Sequence, residues 1–172
     1  MAREKKRISE MSRGELRKLR YRDGYWIGAR KRIYLYWFKF LQHAERSKDY
    51  AVDWSKYQGW GGANEVLKSK FDDWWEAHWK ELFAVKDEGE VARFVVSDKA
   101  KADGIRYALL VYELDNGKRT NYDIAFEILK KNKSANVLDA FVGEKDVVQS
   151  RIGRYKKTAH QYLTNVCEGR LV

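Results

Sequence analysis

Proline is missing altogether from these 172 residues, so no ring kinks a helix and no Pro-rich linker divides the chain. Cysteine occurs once, as Cys167, which excludes an internal disulfide framework and fits a reducing compartment. No apolar run reaches the roughly 20 residues that cross a bilayer, and the basic first residues are not followed by an apolar signal core. The expectation is a cytoplasmic protein with no membrane partner. Histidine is scarce, at three residues, and the chain has neither an internal repeat nor a Gly/Ser-rich stretch.

Cations and indoles are what the chain has in quantity. Lys plus Arg number 35 against 25 Asp plus Glu, for a net charge of +10. The excess is uneven. Residues 1–32 carry 12 basic and 4 acidic side chains, residues 33–100 carry 10 and 12, and residues 101–172 carry 13 and 9. A near-neutral middle thus lies between basic ends, and a field of that sign attracts polyanions, nucleic acid foremost.

All seven tryptophans lie between Tyr25 and Phe83. Trp26, Ala29, Ile33, Trp37, Phe40, Leu41 and Ala44 recur at steps of three and four, which predicts a helix over 24–46. Leu67, Phe71, Trp74, Trp75, His78 and Leu82 do the same over 63–85, beyond the turn Gly59-Trp60-Gly61-Gly62. Each buried aromatic removes on the order of 150–250 Å² from water, so these two faces can anchor a core. Tyr34, Tyr36 and Phe38 lie off the first stripe, so that helix should be covered on more than one side. The connection 47–62, with Tyr50, Val52, Trp54, Tyr57 and Trp60, should pack back over the pair.

Ahead of these helices, residues 1–11 read as a basic arm. Ser12-x-x-Glu15 opens a short helix that Asp23-Gly24 ends, with Arg13, Arg17, Lys18, Arg20 and Arg22 on its solvent side. Behind them, 90–96 and 105–114 are rich in β-branched and aromatic residues and read as a pair of short strands. A buried helix over 103–114 competes, because periodicity does not separate the two. Thr120-x-x-Asp123 caps a helix 121–132 with Ile124, Ala125, Ile128 and Leu129 inward, and Ala135–Val142 is a short apolar element. The last helix, 144–168, has a buried stripe of Val148, Ile152, Tyr155, Ala159, Tyr162 and Val166, and Gly169 follows it. The fold class expected is mainly α, a Trp-rich helical bundle with a small two-stranded β element and a C-terminal helical part. Its divisions are 1–23, a basic arm and short helix; 24–89, the aromatic scaffold; and 90–172, packed as one unit with the scaffold.

Residues 117–168 resemble a helix-turn-helix DNA-binding domain. Gly117-Lys-Arg-Thr-Asn-Tyr-Asp-Ile-Ala125 looks like the opening of a positioning helix, and the terminal helix carries Arg151, Arg154, Lys156 and Lys157 among Ser150, Thr158 and Gln161. Arg, Lys and short polar groups are what phosphate contact and base-edge readout need, and Gly153 would admit a close backbone. One departure matters. A helix-turn-helix uses a 3–4-residue turn, whereas here Asn132–Gly143 intervene. Either Ala135–Val142 is an extra helix, or 144–168 is a packing helix with a solvated basic face. The stretches 37–41 and 71–79 also resemble small proteins of phages and other mobile elements, which carry no assigned chemistry.

Catalysis is not expected. His160 and Cys167 share a helix face but are separated by roughly 10.5 Å of rise, beyond nucleophile–base contact. Asp72, Asp73, Glu76 and His78 could suggest a metal, but Asp72, Glu76 and Lys80 at four-residue steps read better as a surface ion-pair ladder. His78 reads as a core histidine. Gly59-Trp-Gly-Gly lacks the Lys-Ser/Thr of a phosphate loop. No metal, cofactor or catalytic residue is expected. The tryptophans could form a base-stacking platform, but their helical spacing favours core, with Tyr25 and Trp26 beside Arg30 the best exceptions.

The expected function is a DNA-binding regulatory or architectural protein of a phage or mobile element, with DNA a better partner than RNA. Its contacts would be Arg17, Arg20, Arg30, Lys31, Arg32, Lys118, Arg119, Arg151, Arg154, Lys156 and Lys157. The alternatives are a structural subunit of a larger nucleoprotein complex, or an inhibitor or adaptor that docks on an acidic partner through the aromatics of 47–62.

Overall fold

The computed structural model describes residues 20–27, 29–86, 91–96, 100–132, 137 and 140–172. The N-terminal arm and residues 12–19 of the first predicted helix, Arg17 among them, lie outside the described residues.

Asp23 and Gly24 both adopt positive φ, 51° and 82°. Two consecutive left-handed residues make the tight turn that matches strand twist, so the chain folds back as a hairpin rather than ending a helix. Strand β1 (Arg20–Arg22) pairs antiparallel with β2 (Tyr25–Ile27), Tyr21 opposite Trp26. The predicted helical Arg20 and Arg22, and the predicted helical start at 24, are therefore corrected to strand. Helix α1 spans Lys31–Arg46, and Tyr34 and Phe38 are buried along with Ile33, Trp37, Phe40, Leu41 and Ala44. That helix is covered on more than one side, as its wide apolar arc implies. His43 and Arg46 occupy its last turn, where the helix dipole favours cations.

The aromatic connection packs inward. Tyr57 and Trp60 are buried, and Tyr50, Val52 and Trp54 lie against the core. A 3₁₀ turn at Trp54–Tyr57 starts with Asp53 accepting the Ser55 N–H at 3.1 Å. Tyr57 and Trp60 are thus core, while Tyr50 and Trp54 keep part of their surface exposed. Gly59 has φ +89°, and the Arg93 guanidinium and Glu81 carboxylate lie so close that a Cβ there would meet both at 2.9 and 3.0 Å.

The predicted helix 63–85 is two helices. Gly62–Lys68 forms α2 and Phe71–Leu82 forms α3, with extended backbone at Ser69 and Lys70 between them. In one continuous helix Val66 would point nearly opposite Trp75, Trp79 and Leu82. The break lets all four be buried. After α3, Ala84–Val85 forms β3 and pairs with β2, giving a three-stranded sheet in the order β1-β2-β3.

The strand pair predicted at 90–96 and 105–114 is corrected. Residues 91–96 are irregular. They cross the aromatic core as a strap, with the Phe94 N–H donating to Leu82 O at 2.9 Å and the Phe94 ring set among Trp37, Tyr57, Trp60 and Phe83. Ala102–Leu114 is helix α4. Its apolar surroundings on several sides account for the near-continuous apolar sequence, since α1, α6 and α5 all pack against it.

Helix α5 (Asn121–Lys131) begins with the capping box read from Thr120 and Asp123, and buries Ile124, Ala125 and Ile128. Val137, Ala140 and Phe141 are helical, and α6 spans Lys145–Cys167. Two buried clusters result. The first gathers Trp37, Trp60, Trp74, Trp75 and Trp79, and the second is built by Tyr107, Val111, Ile124, Ile128, Phe141, Val148 and Ile152. Helices α4 and α6 contribute to both, through Ile105 and Ala108 with Leu163 and Val166 on one side, and Val111 with Val148 on the other. The protein is thus mainly α with a small β element, and among the described residues no helix is long and apolar enough to cross a membrane.

Candidate nucleic-acid interface

The turn between α4 and α5 is built from its own polar side chains. Asp115 Oδ1 accepts the Gly117 N–H at 3.1 Å, and Asn116 Oδ1 accepts the Lys118 and Arg119 N–H groups at 3.0 and 3.1 Å. Thr120 and Asp123 close it with reciprocal bonds. Two contacts then fix this turn onto α6. Lys156 Nζ lies 2.8 Å from Asp115 Oδ2, and Asn121 Nδ2 donates to Gln149 O at 3.1 Å. The turn therefore runs along α6 from about the level of Gln149 to that of Lys156.

That registration sets the charges. Arg154 and Lys157 follow Gly153 on α6 by one and four positions, so they point within about 100° and 40° of its direction. Gly153 itself faces Asn121. Lys118, Arg119, Arg154 and Lys157 are all exposed, and none makes an ion pair with a described residue. The nearby carboxylates are already engaged: Asp115 holds Lys156, and Asp123 caps α5. Burial pushes the Asp115 carboxyl up, but bonds from Lys156 and the Gly117 N–H together outweigh it and hold the group below its ordinary range. Bonds from the Thr120 hydroxyl and N–H likewise lower Asp123.

A carboxyl held below its ordinary value contributes stability that is present above that value and lost as pH falls through the folded one. Asp115→Asn should therefore be less stable than the native chain near neutral pH, with the gap closing as pH drops below 3.8. Thermal melts across that range check it.

Of the other predicted cations, Arg151, Lys156 and Lys31 are committed elsewhere. Arg151 is half-buried and donates to Ala140 O at 2.6 Å, tying the short helical segment to α6. Lys156 is the anchor for Asp115. Lys31 pairs with Asp72 at 2.6 Å, while Arg30 and Arg32 are exposed at the start of α1. Arg20 lies in β1. A Cβ at Gly153 would meet Asn121 Nδ2 only at 3.8 Å, an ordinary contact, so packing within the protein does not require glycine there.

The catalytic types are dispersed. His160 Nδ1 lies 2.6 Å from the Tyr50 hydroxyl, whereas the Cys167 thiol donates to Leu163 O, and burial pushes that thiol up, away from the reactive thiolate. His78 pairs with Glu65 at 2.6 Å, and no His/Cys/Asp/Glu group fit for a metal occurs among the described residues. The predicted ladder on α3 is replaced by pairs between elements: Glu76 takes Arg22 through two bonds of 3.0 and 2.7 Å, and Asp72 takes Lys31.

Two surface features escaped the sequence reading. Lys80 and Lys86 flank Tyr25 beside the hairpin. Tyr122 and Phe126, 46% and 61% exposed, sit with Val142 around a small apolar cleft. Their spacing was a signal, because both point away from Ile124 and Ile128 on α5. Compared with known protein families, curated proteins and solved structures, the chain shows no match.

Proposed function

We propose that this protein binds nucleic acid without acting on it chemically, and that it grips duplex DNA in an architectural role within the cytoplasm. The observation that carries the reading is a set of exposed cations, Lys118 and Arg119 on the turn and Arg154 and Lys157 on α6, none in an ion pair with a described residue, close to where the Asp115–Lys156 and Asn121–Gln149 contacts fix that turn onto α6. Helix α6 packs against α1, α4 and α5. It offers an edge to phosphates rather than a free helix to a groove, which favours backbone contact over base readout. The mobile-element setting rests on the resemblance of 37–41 and 71–79 alone.

Each neutralised phosphate releases counterions, so log K for duplex falls against log salt with a slope of about −0.9 per contact. Four contacts predict a slope of roughly −3.6. Anisotropy of a labelled duplex titrated with salt reads this directly, and a flat response removes the reading.

A structural subunit of a nucleoprotein assembly is the second reading. The exposed Tyr122, Phe126 and Val142 favour it, because contiguous apolar surface of this kind marks protein contacts. A protein complex that persists after nuclease treatment would support it.

A further inference from the structure

Asn116-Gly117 is the one Asn-Gly pair in the sequence, and it lies in the turn between α4 and α5. Both residues are exposed. Gly117 has φ +72°, and a Cβ there would meet nothing within 4 Å, so its amide nitrogen is open to a neighbour and to water. In such a pair the glycine nitrogen can attack the Asn side-chain carbon Cγ and close a succinimide ring.

The contacts of the turn bear directly on that attack. Asn116 Oδ1 accepts the Lys118 and Arg119 N–H groups at 3.0 and 3.1 Å, which turns the side chain forward over the peptide that carries the Gly117 nitrogen. The same two donors face the oxygen on which negative charge develops when Cγ becomes tetrahedral, as in an oxyanion hole. The Gly117 N–H donates to Asp115 Oδ1 at 3.1 Å, so a carboxylate already touches the proton that must leave. Lys156 holds the other oxygen of that carboxylate at 2.8 Å and fixes its direction. A rigid fold ordinarily slows ring closure, because it keeps the side chain away from the next nitrogen. Here the fold holds the side chain forward, and donors and base are in place.

We infer that the native turn converts Asn116 through its own contacts, by way of a succinimide, into aspartate and isoaspartate. The bond from the Gly117 nitrogen to Cγ forms, and the Cγ–Nδ2 bond breaks. The proton of the Gly117 nitrogen passes through the Asp115 carboxylate to the departing nitrogen, which leaves as ammonia. Solvent water then opens the ring at Cγ to give aspartate, or at the main-chain carbonyl carbon of Asn116 to give isoaspartate. Either product places a negative charge beside Lys118 and Arg119, and isoaspartate also lengthens the backbone inside the turn. A lower duplex affinity of the converted chain rests on the reading of this turn as the duplex surface; the conversion itself does not.

The test incubates the native chain and the chain unfolded in guanidinium chloride at the same neutral pH and temperature. Mass spectrometry of the peptide holding Asn116 counts the exchange of its NH₂ for OH. The native chain should convert about tenfold or more faster than the unfolded one. An equal or slower native rate overturns the inference, since a turn that only shielded the pair would give that result. Asp115→Asn keeps an oxygen for the Gly117 N–H but removes the base, and should lower the native rate towards the unfolded one. Lys156→Gln loosens the turn from α6 yet keeps the carboxylate, and should stay faster than Asp115→Asn. Circular dichroism at the incubation temperature establishes that both variants are folded. Asp115→Asn converting as fast as the native chain, or both variants slowed alike, overturns the role given to the carboxylate.

Discussion

Glutamine at Lys118, Arg119, Arg154 and Lys157 together is expected to lower affinity for duplex DNA roughly 10³-fold at about 0.1 M salt, and to flatten the salt slope by about 3.6. The size follows from counterion release, since each phosphate contact contributes about 0.9 decade to the binding constant at that concentration. The fold should tolerate the change. All four side chains are exposed, Arg119 alone giving up a solvent-exposed bond to Leu114 O, and surface substitutions of this kind stay within about 0.5 kcal/mol. Arg151→Gln or Lys156→Gln is a poor substitute, because the first removes the bond to Ala140 O and the second releases the turn at Asp115. Arg151 and Arg154 are neighbours in sequence with different tasks. Anisotropy at fixed salt with a circular-dichroism control reads the effect, and unchanged affinity would move the duplex site elsewhere.

Trp37→Ala should destabilise the protein by about 3–5 kcal/mol, the cost of emptying a large aromatic site in a packed core. Trp37 is 1% exposed and meets Trp60 and Phe94 at ring distances of 5.7 and 5.8 Å. Its indole N–H donates to the Tyr57 hydroxyl at 3.1 Å, and that hydroxyl donates to Val166 O. The truncation therefore loosens α1, the aromatic connection and the end of α6 at once. Domains are stable by only about 5–15 kcal/mol, so the variant should sit close to unfolding. Trp54→Ala is the useful contrast. That ring is only partly buried and its N–H binds Glu45 at 2.8 Å, so its loss should cost less. Denaturant titration of both variants orders them, and equal midpoints would refute the placing of Trp37 at the centre.

Where periodicity and local chemistry agreed, the sequence was legible. The Thr120–Asp123 box, the inward face of α5 and the stripe of α6 fall where their spacing puts them, because local bonds and one buried face determine them. Trp26 misled because its distance from Ala29 and Ile33 suits a helix by coincidence, while Asp23-Gly24 is a hairpin turn whose strand partners are set by pairing with Ala84 and Val85. The segment 105–114 was ambiguous for a physical reason: a helix packed against α1, α5 and α6 keeps only a narrow polar stripe, Arg106 and Glu113, to show its period. The candidate site was half legible. Residue type identified Arg154, Lys157, Lys118 and Arg119, but only the fold shows that Lys156 and Arg151 are tied inward and that Lys80 and Lys86 share the Tyr25 ring.

Amide hydrogen exchange with and without duplex DNA tests the central claim most directly. Added protection confined to the backbone of 115–121 and the 150–157 stretch of α6, with the tryptophan-lined helices α1 and α3 unaltered, is the predicted result. Protection centred on α1 and the hairpin while 115–121 exchanges as before, or no change anywhere at saturating duplex, would contradict it.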